Sequence, residues 1–119
     1  MSLLWYTYDQ SKIRGVYMGP ARTVIVQANS PNEADARAEA AGVDFHADSY
    51  QCCGARFMRM AEHVWCAEPT PTYGGRPVVV EPTDAPIPSS RNELGEEHLR
   101  IALLIADDGT VTYGPMHAA

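Results

Sequence analysis

The chain has 119 residues with 9 Lys+Arg against 15 Asp+Glu, a formal net charge of -6 and a sequence pI near 5.0. That balance argues against a nonspecific nucleic-acid binder, whose affinity comes from clustered basic charge and released counterions. The length suits a single domain over residues 1–119 that buries roughly 65% of the surface its unfolded chain exposes, and 45% hydrophobic with 20% charged residues is a globular composition.

Leu3 to Tyr8 is dense in aromatic side chains, which favour a pleated, half-buried surface, and predicts a strand that stops at Asp9-Gln10-Ser11. Ile13 to Met18 reads as a second strand weakened by Gly15. Gly19-Pro20 then breaks the chain before the strand Thr23 to Ala28. Ser30-Pro31-Asn32-Glu33 carries a helix start: a capping serine, proline where its missing donor costs nothing, and a glutamate placed to complete a capping box. The helix ends at Gly42, with Ala34, Ala38 and Ala41 forming a smooth stripe for packing on a sheet and Glu33 and Arg37 paired four residues apart.

Phe57 to Ala67 fits helical spacing and strand alternation alike. Pro69 to Pro88 holds six of the nine prolines and predicts an extended loop with one short edge strand at Val78 to Glu81. Ser89 to Leu94 predicts one helical turn before Gly95. Leu99, Ile101, Leu103 and Ile105 alternate onto one face, Asp107-Asp108-Gly109 supplies a turn, and Val111-Thr112-Tyr113 returns, which predicts a C-terminal hairpin with His98 and Arg100 on the opposite face. The expected fold class is α+β, a mostly antiparallel β-sheet packed by one main α-helix.

The three cysteines lack the spacing of a disulfide framework, and no apolar run reaches the roughly 20 residues of a membrane span, so a cytoplasmic protein with reduced thiols is expected. Cys52, Cys53, Cys66, His46 and His63 are zinc-type ligands, but adjacent cysteines seldom aim at one metal; small buried thiols beside Gly54 are the expectation, with no metal and no cofactor. No Gly-x-Ser-x-Gly elbow, P-loop or His-Glu-x-x-His is present. The positions two after the histidines are Asp48, Trp65, Arg100 and Ala119, which excludes the repeated His-x-Ser/Thr of two-histidine phosphoesterases. A non-enzyme is expected.

The basic side chains are eight arginines and the single Lys12. A planar guanidinium grips phosphate with two parallel hydrogen bonds and stacks on a base, so this bias points to an anionic ligand. Arginine chemistry and position select Arg56, Phe57, Arg59, Arg91, Asn92, His98 and Arg100 as candidate ligand-binding residues.

Several strings in order along the chain resemble the small phage-encoded Thoeris anti-defence sponges of the first type. They are Leu4-Trp5-Tyr6-Thr7-Tyr8-Asp9, Gly15-Val16-Tyr17, Val26-Gln27-Ala28-Asn29-Ser30 leading into Glu33-Ala34-Asp35, and Gly42-Val43-Asp44-Phe45. Cys52-Cys53-Gly54-Ala55-Arg56-Phe57 and Asp108 to Gly114 complete the set. The resemblance implies a noncatalytic viral protein built from dimers that binds and sequesters cyclic ADP-ribose-type immune signals, with cyclic di- or trinucleotides of the CBASS system as further ligands, in the cytoplasm of an infected bacterium. A pocket between subunits would gather Arg56 or Arg59 from one copy and Arg91 or Arg100 from another, and assembly would cover Trp5 and Tyr6. The alternatives are a phage protein that inhibits a host enzyme by direct contact through the proline-rich segment, and a small hydrolase of nucleotide signals.

Overall fold

The computed structural model describes residues 3–10, 17–45, 57–64 and 66–119. Its elements run β1 (Leu4–Asp9), β2 (Tyr17–Met18), β3 (Thr23–Ala28), α1 (Pro31–Ala40), β4 (Ala67–Glu68), β5 (Thr72–Tyr73), β6 (Arg76–Val80), β7 (Glu93–Leu94), a 3₁₀ turn over Glu96–His98, β8 (Ile101–Ile105) and β9 (Val111–Ala118). The fold is α+β with the sheet dominant. Seven strands lie in the order β4-β1-β3-β8-β9-β6-β5, and β2 pairs separately with β7. Every pairing is antiparallel except β3 with β8, which run parallel from Thr23 opposite Ala102 to Val26 opposite Ile105. No helix among the described residues is long and apolar enough to cross a membrane.

Local sequence sets α1 as expected. The Ser30 hydroxyl accepts a hydrogen bond from the Glu33 amide at 3.1 Å, and the Glu33 carboxylate accepts from the Asn29 amide at 3.4 Å, so the capping box closes. Past the helix end, Gly42 takes φ +108°, a conformation that costs a side chain dearly, and the Val43 amide turns back to the Ala38 carbonyl.

Strand alternation divides the sheet into two faces. One carries Tyr6, Tyr8, Val24, Val26, Leu103, Ile105 and Tyr113, which bury against Ala34 and Ala38 of α1 together with Phe45, Phe57 and Met60. Tyr6 is 4% exposed, so it belongs to this core and is no exposed aromatic for a partner to cover. The other face carries Thr7, Ile25, Ala102, Val78 and Val80. These are buried too, because the sheet curls until its ends meet. The outermost strands β4 and β5 are joined by residues 69–71 alone, and the Thr7 hydroxyl on β1 donates to the Thr72 carbonyl on β5 at 2.6 Å.

Three local expectations change. Pro69 to Pro88 is no plain loop with an edge strand: β6 lies inside the sheet, flanked by β9 and by β5. Proline is tolerated because Pro77, the second residue of β6, precedes the first pair with β9 at Val78, and its carbonyl still accepts from the Ala119 amide. Ser89 to Leu94 forms a turn closed by the Asn92 amide on the Ser89 carbonyl and then the strand β7, while the helical turn follows Gly95. The segment from Phe57 is neither helix nor long strand; its turn at 60–62 is pinned from outside, by Asp35. Residues 11–16 of the second expected strand lie outside the described residues, and Tyr17–Met18 forms β2.

Asp35 on α1 is 5% exposed and accepts three hydrogen bonds, from the Tyr8 hydroxyl at 2.6 Å and the amides of Met60 at 2.8 Å and Ala61 at 2.9 Å. Burial, and then the bond it donates to Asp35, push the Tyr8 phenol far above the ordinary tyrosine value. The folded protein keeps this proton while the unfolded chain begins to lose it near pH 10, so the contribution is complete below about pH 10 and is lost as pH rises further. Urea unfolding should show stability falling by about 1.4 kcal/mol per pH unit from this group above about pH 10. Tyr8→Phe should remove that slope; an unchanged slope would show that Tyr8 ionises as readily folded as unfolded.

Candidate functional site

The structure disperses the residues chosen from sequence. Arg56 lies outside the described residues. Phe57 is 3% exposed in the helix-side core, and Arg59 stacks over the Phe45 ring at 4.9 Å with its guanidinium 3.6 Å from Glu39. Arg91 and Asn92 occupy the exposed turn after Ser89, where the Asn92 carbonyl accepts from the Gly19 amide at 2.8 Å. His98 sits in the 3₁₀ turn with Nδ1 3.5 Å from the Glu97 carboxylate and no hydrogen bond. Only Arg100 of this set lines the groove described next. His46, Cys52, Cys53 and Gly54 lie outside the described residues. Among the described residues no group of three His, Cys, Asp or Glu could hold a metal ion.

The mouth of the curled sheet forms a groove of about 330 Å³, where β3 and β8 begin and β9 ends. Val78, Met116 and Ala118 give it an apolar floor, and Arg22, Arg76 and Arg100 stand in its walls with Tyr73 and His117. Ligand sites typically span roughly 300–1,000 Å³ with an apolar lining and a few convergent polar groups, so size and composition both fit a small molecule.

Each wall has a local cause. Tyr73-Gly74-Gly75-Arg76 is a two-residue hairpin with φ of +62° and +80° at the glycines, which the mirror-image turn requires. This turn sets Tyr73 directly opposite Arg76 across β5 and β6. The parallel pairing places Arg22 and Arg100 just before their paired strands, at one end of the sheet.

Among the described residues no carboxylate lines the groove, and two stand behind its walls: Asp9, whose Oδ1 is 3.9 Å from Arg22 Nε, and Glu81, whose Oε2 is 3.2 Å from His117 Nε2. Arg37, by contrast, is tied to Glu33 at 3.1 Å and Asp107 at 3.3 Å. Arg76 and Arg100 have no ion-pair partner among the described residues, so both guanidiniums remain available to an anion. Burial raises the Asp9 carboxyl above the usual aspartate value, opposed by Arg22 and by the Thr23 hydroxyl.

Residues 3–113 match the family DUF7296, described as a domain of unknown function. The chain belongs to the DUF7296 family. No curated protein and no solved structure matches it. The DUF7296 span contains Arg22, Tyr73, Arg76 and Arg100 but stops before Met116 and His117, so part of the groove's β9 wall lies beyond the matched residues.

Sequence reasoning missed Arg22, Tyr73, Arg76 and His117. For Tyr73 and Arg76 a signal was present, because a Gly-Gly pair between two short extended runs marks a tight hairpin whose flanking residues become neighbours. Arg22 and His117 carry no such local mark.

Proposed function

We propose that this protein is a noncatalytic binder of small cyclic nucleotide signals and that the groove at the sheet mouth is its binding site. The observation that carries the reading is the gathering of Arg22, Arg76 and Arg100 around one groove that no carboxylate lines among the described residues, in a chain whose net charge is -6. Guanidiniums supply paired hydrogen bonds to phosphate oxygens, the Tyr73 ring offers a face to a base, and the apolar floor excludes water beneath the sugar. Binding of this kind needs no transition-state chemistry. The resemblance to the Thoeris anti-defence sponges names cyclic ADP-ribose isomers first and cyclic di- and trinucleotides second. A stoichiometric sink of such messengers acts in the cytoplasm of an infected bacterium, as a homo-oligomer in the manner of that family.

The test is depletion of free ligand by purified protein across that panel, followed by heat denaturation and analysis of what is released. Intact ligand supports the sponge, shortened or linear products make the protein a hydrolase, and absence of depletion leaves inhibition by direct contact. Arg76→Ala/Arg100→Ala removes two charged donors, each worth roughly 1.5–3 kcal/mol, so affinity should fall at least about 100-fold. Both side chains are exposed, and the fold should hold. Unaltered affinity in the double variant would move the site elsewhere.

A further inference from the structure

We propose that Asp9 is the groove's resident counter-ion, which holds Arg22 when no ligand anion does and competes with the ligand for that guanidinium. The inference rests on the groove being the ligand site and goes on to name the residue that sets its affinity.

Among the described residues Arg22 is the groove arginine held by neighbouring side chains. Its guanidinium lies over the Tyr17 ring at 4.8 Å, and its side chain is only 28% exposed. Its contact with Asp9 is unfinished. At 3.9 Å the pair attracts but makes no hydrogen bond, and Arg22 Nε is buried without any acceptor among the described residues. A buried donor left unmet is costly, so the pairing of Arg22 with Asp9 is incomplete.

Asp9 cannot simply close that distance. Its Oδ1 accepts a hydrogen bond from the Thr23 hydroxyl at 3.2 Å, which anchors the carboxylate at the β1–β3 edge behind Arg22. It therefore stays as a negative charge beside the position an anion would take. Glu81, the other carboxylate near the groove among the described residues, is engaged by His117. Asp9 is thus placed to oppose the ligand through Arg22, by drawing on the same cation.

Calorimetric titration with ADP, and with inorganic pyrophosphate to separate anion from base, tests this at fixed ionic strength. Asp9→Asn keeps an oxygen for the Thr23 hydroxyl while removing the charge, and should bind both probes about tenfold more tightly than the wild type. Arg22→Gln should bind more weakly, and Asp9→Asn/Arg22→Gln should bind no more tightly than Arg22→Gln alone. Arg22→Lys serves as the second background, keeping the charge should Arg22→Gln unfold. Equal affinity of wild type and Asp9→Asn, with binding still lost in Arg76→Ala/Arg100→Ala, overturns the counter-ion role alone. So does tightening by Asp9→Asn that persists without Arg22, since the effect would then not pass through that guanidinium. Failure of both probes to bind any variant overturns it as well, while the groove's role then stands or falls on the cyclic nucleotide panel.

Discussion

Asp35→Ala is expected to lower the unfolding free energy by about 3–5 kcal/mol, read from urea denaturation at neutral pH. The carboxylate is buried and accepts from the Tyr8 hydroxyl and from the Met60 and Ala61 amides. Alanine leaves all three donors unmet; the bonds from the Tyr8 hydroxyl and the Met60 amide are buried, and each buried orphan costs roughly 1–3 kcal/mol before relaxation. Asp35→Asn should fall between, because one oxygen still accepts while the new amide nitrogen confronts a backbone N–H. The loss should be local in one respect: amides around 57–64 should exchange faster in Asp35→Ala than those of β3, since Asp35 is what ties that segment to the helix. A loss under about 1 kcal/mol would mean that the segment is held by Phe57 and Met60 packing instead.

Gly114→Ala should be comparably damaging, at about 3 kcal/mol or more. Gly114 lies in β9 on the inside of the curl, and a Cβ built there falls on the Glu81 carbonyl oxygen, with the Thr83 methyl 3.0 Å away. The obstacle is backbone. The chain leaving β6 is held there by the Glu81 amide on the Pro115 carbonyl and by the Thr83 amide and hydroxyl on the Tyr113 carbonyl. It cannot yield without losing those bonds. Gly109→Ala makes the useful comparison, since nothing lies within 4 Å of a Cβ there and its cost comes from φ of +90° alone. Equal losses in the two variants would show that crossing of the strand by the 81–83 segment contributes nothing.

Elements with local causes were legible in the sequence. The span Thr23 to Ala28 announces β3 by its β-branched run, and Ser30, Glu33 and Gly42 bracket α1 with capping chemistry that acts within one turn. The C-terminal hairpin reads equally well, because alternation and its turn adjoin. What stayed hidden depends on residues far apart in the chain. The parallel union of β3 with β8 has no sequence mark, and it alone brings Arg22 beside Arg100. Asp35 reads as an ordinary helix-surface acid until Tyr8 and the Met60 turn arrive around it. Prolines masked the Gly74-Gly75 hairpin, so Arg76 passed as part of a loop. Arginine's predominance over lysine is visible in the composition, while the choice of which arginines followed proximity in sequence, and of the described candidates only Arg100 lines the groove.

The curled sheet also limits how copies of this chain can meet. Its two outermost strands, Ala67–Glu68 and Thr72–Tyr73, are two residues each and lie back to back across a three-residue link. At these two strands an approaching polypeptide therefore finds little backbone to extend by zipper-like addition, which also guards against fibrous aggregation. Self-association at these two strands is thereby left to side chains.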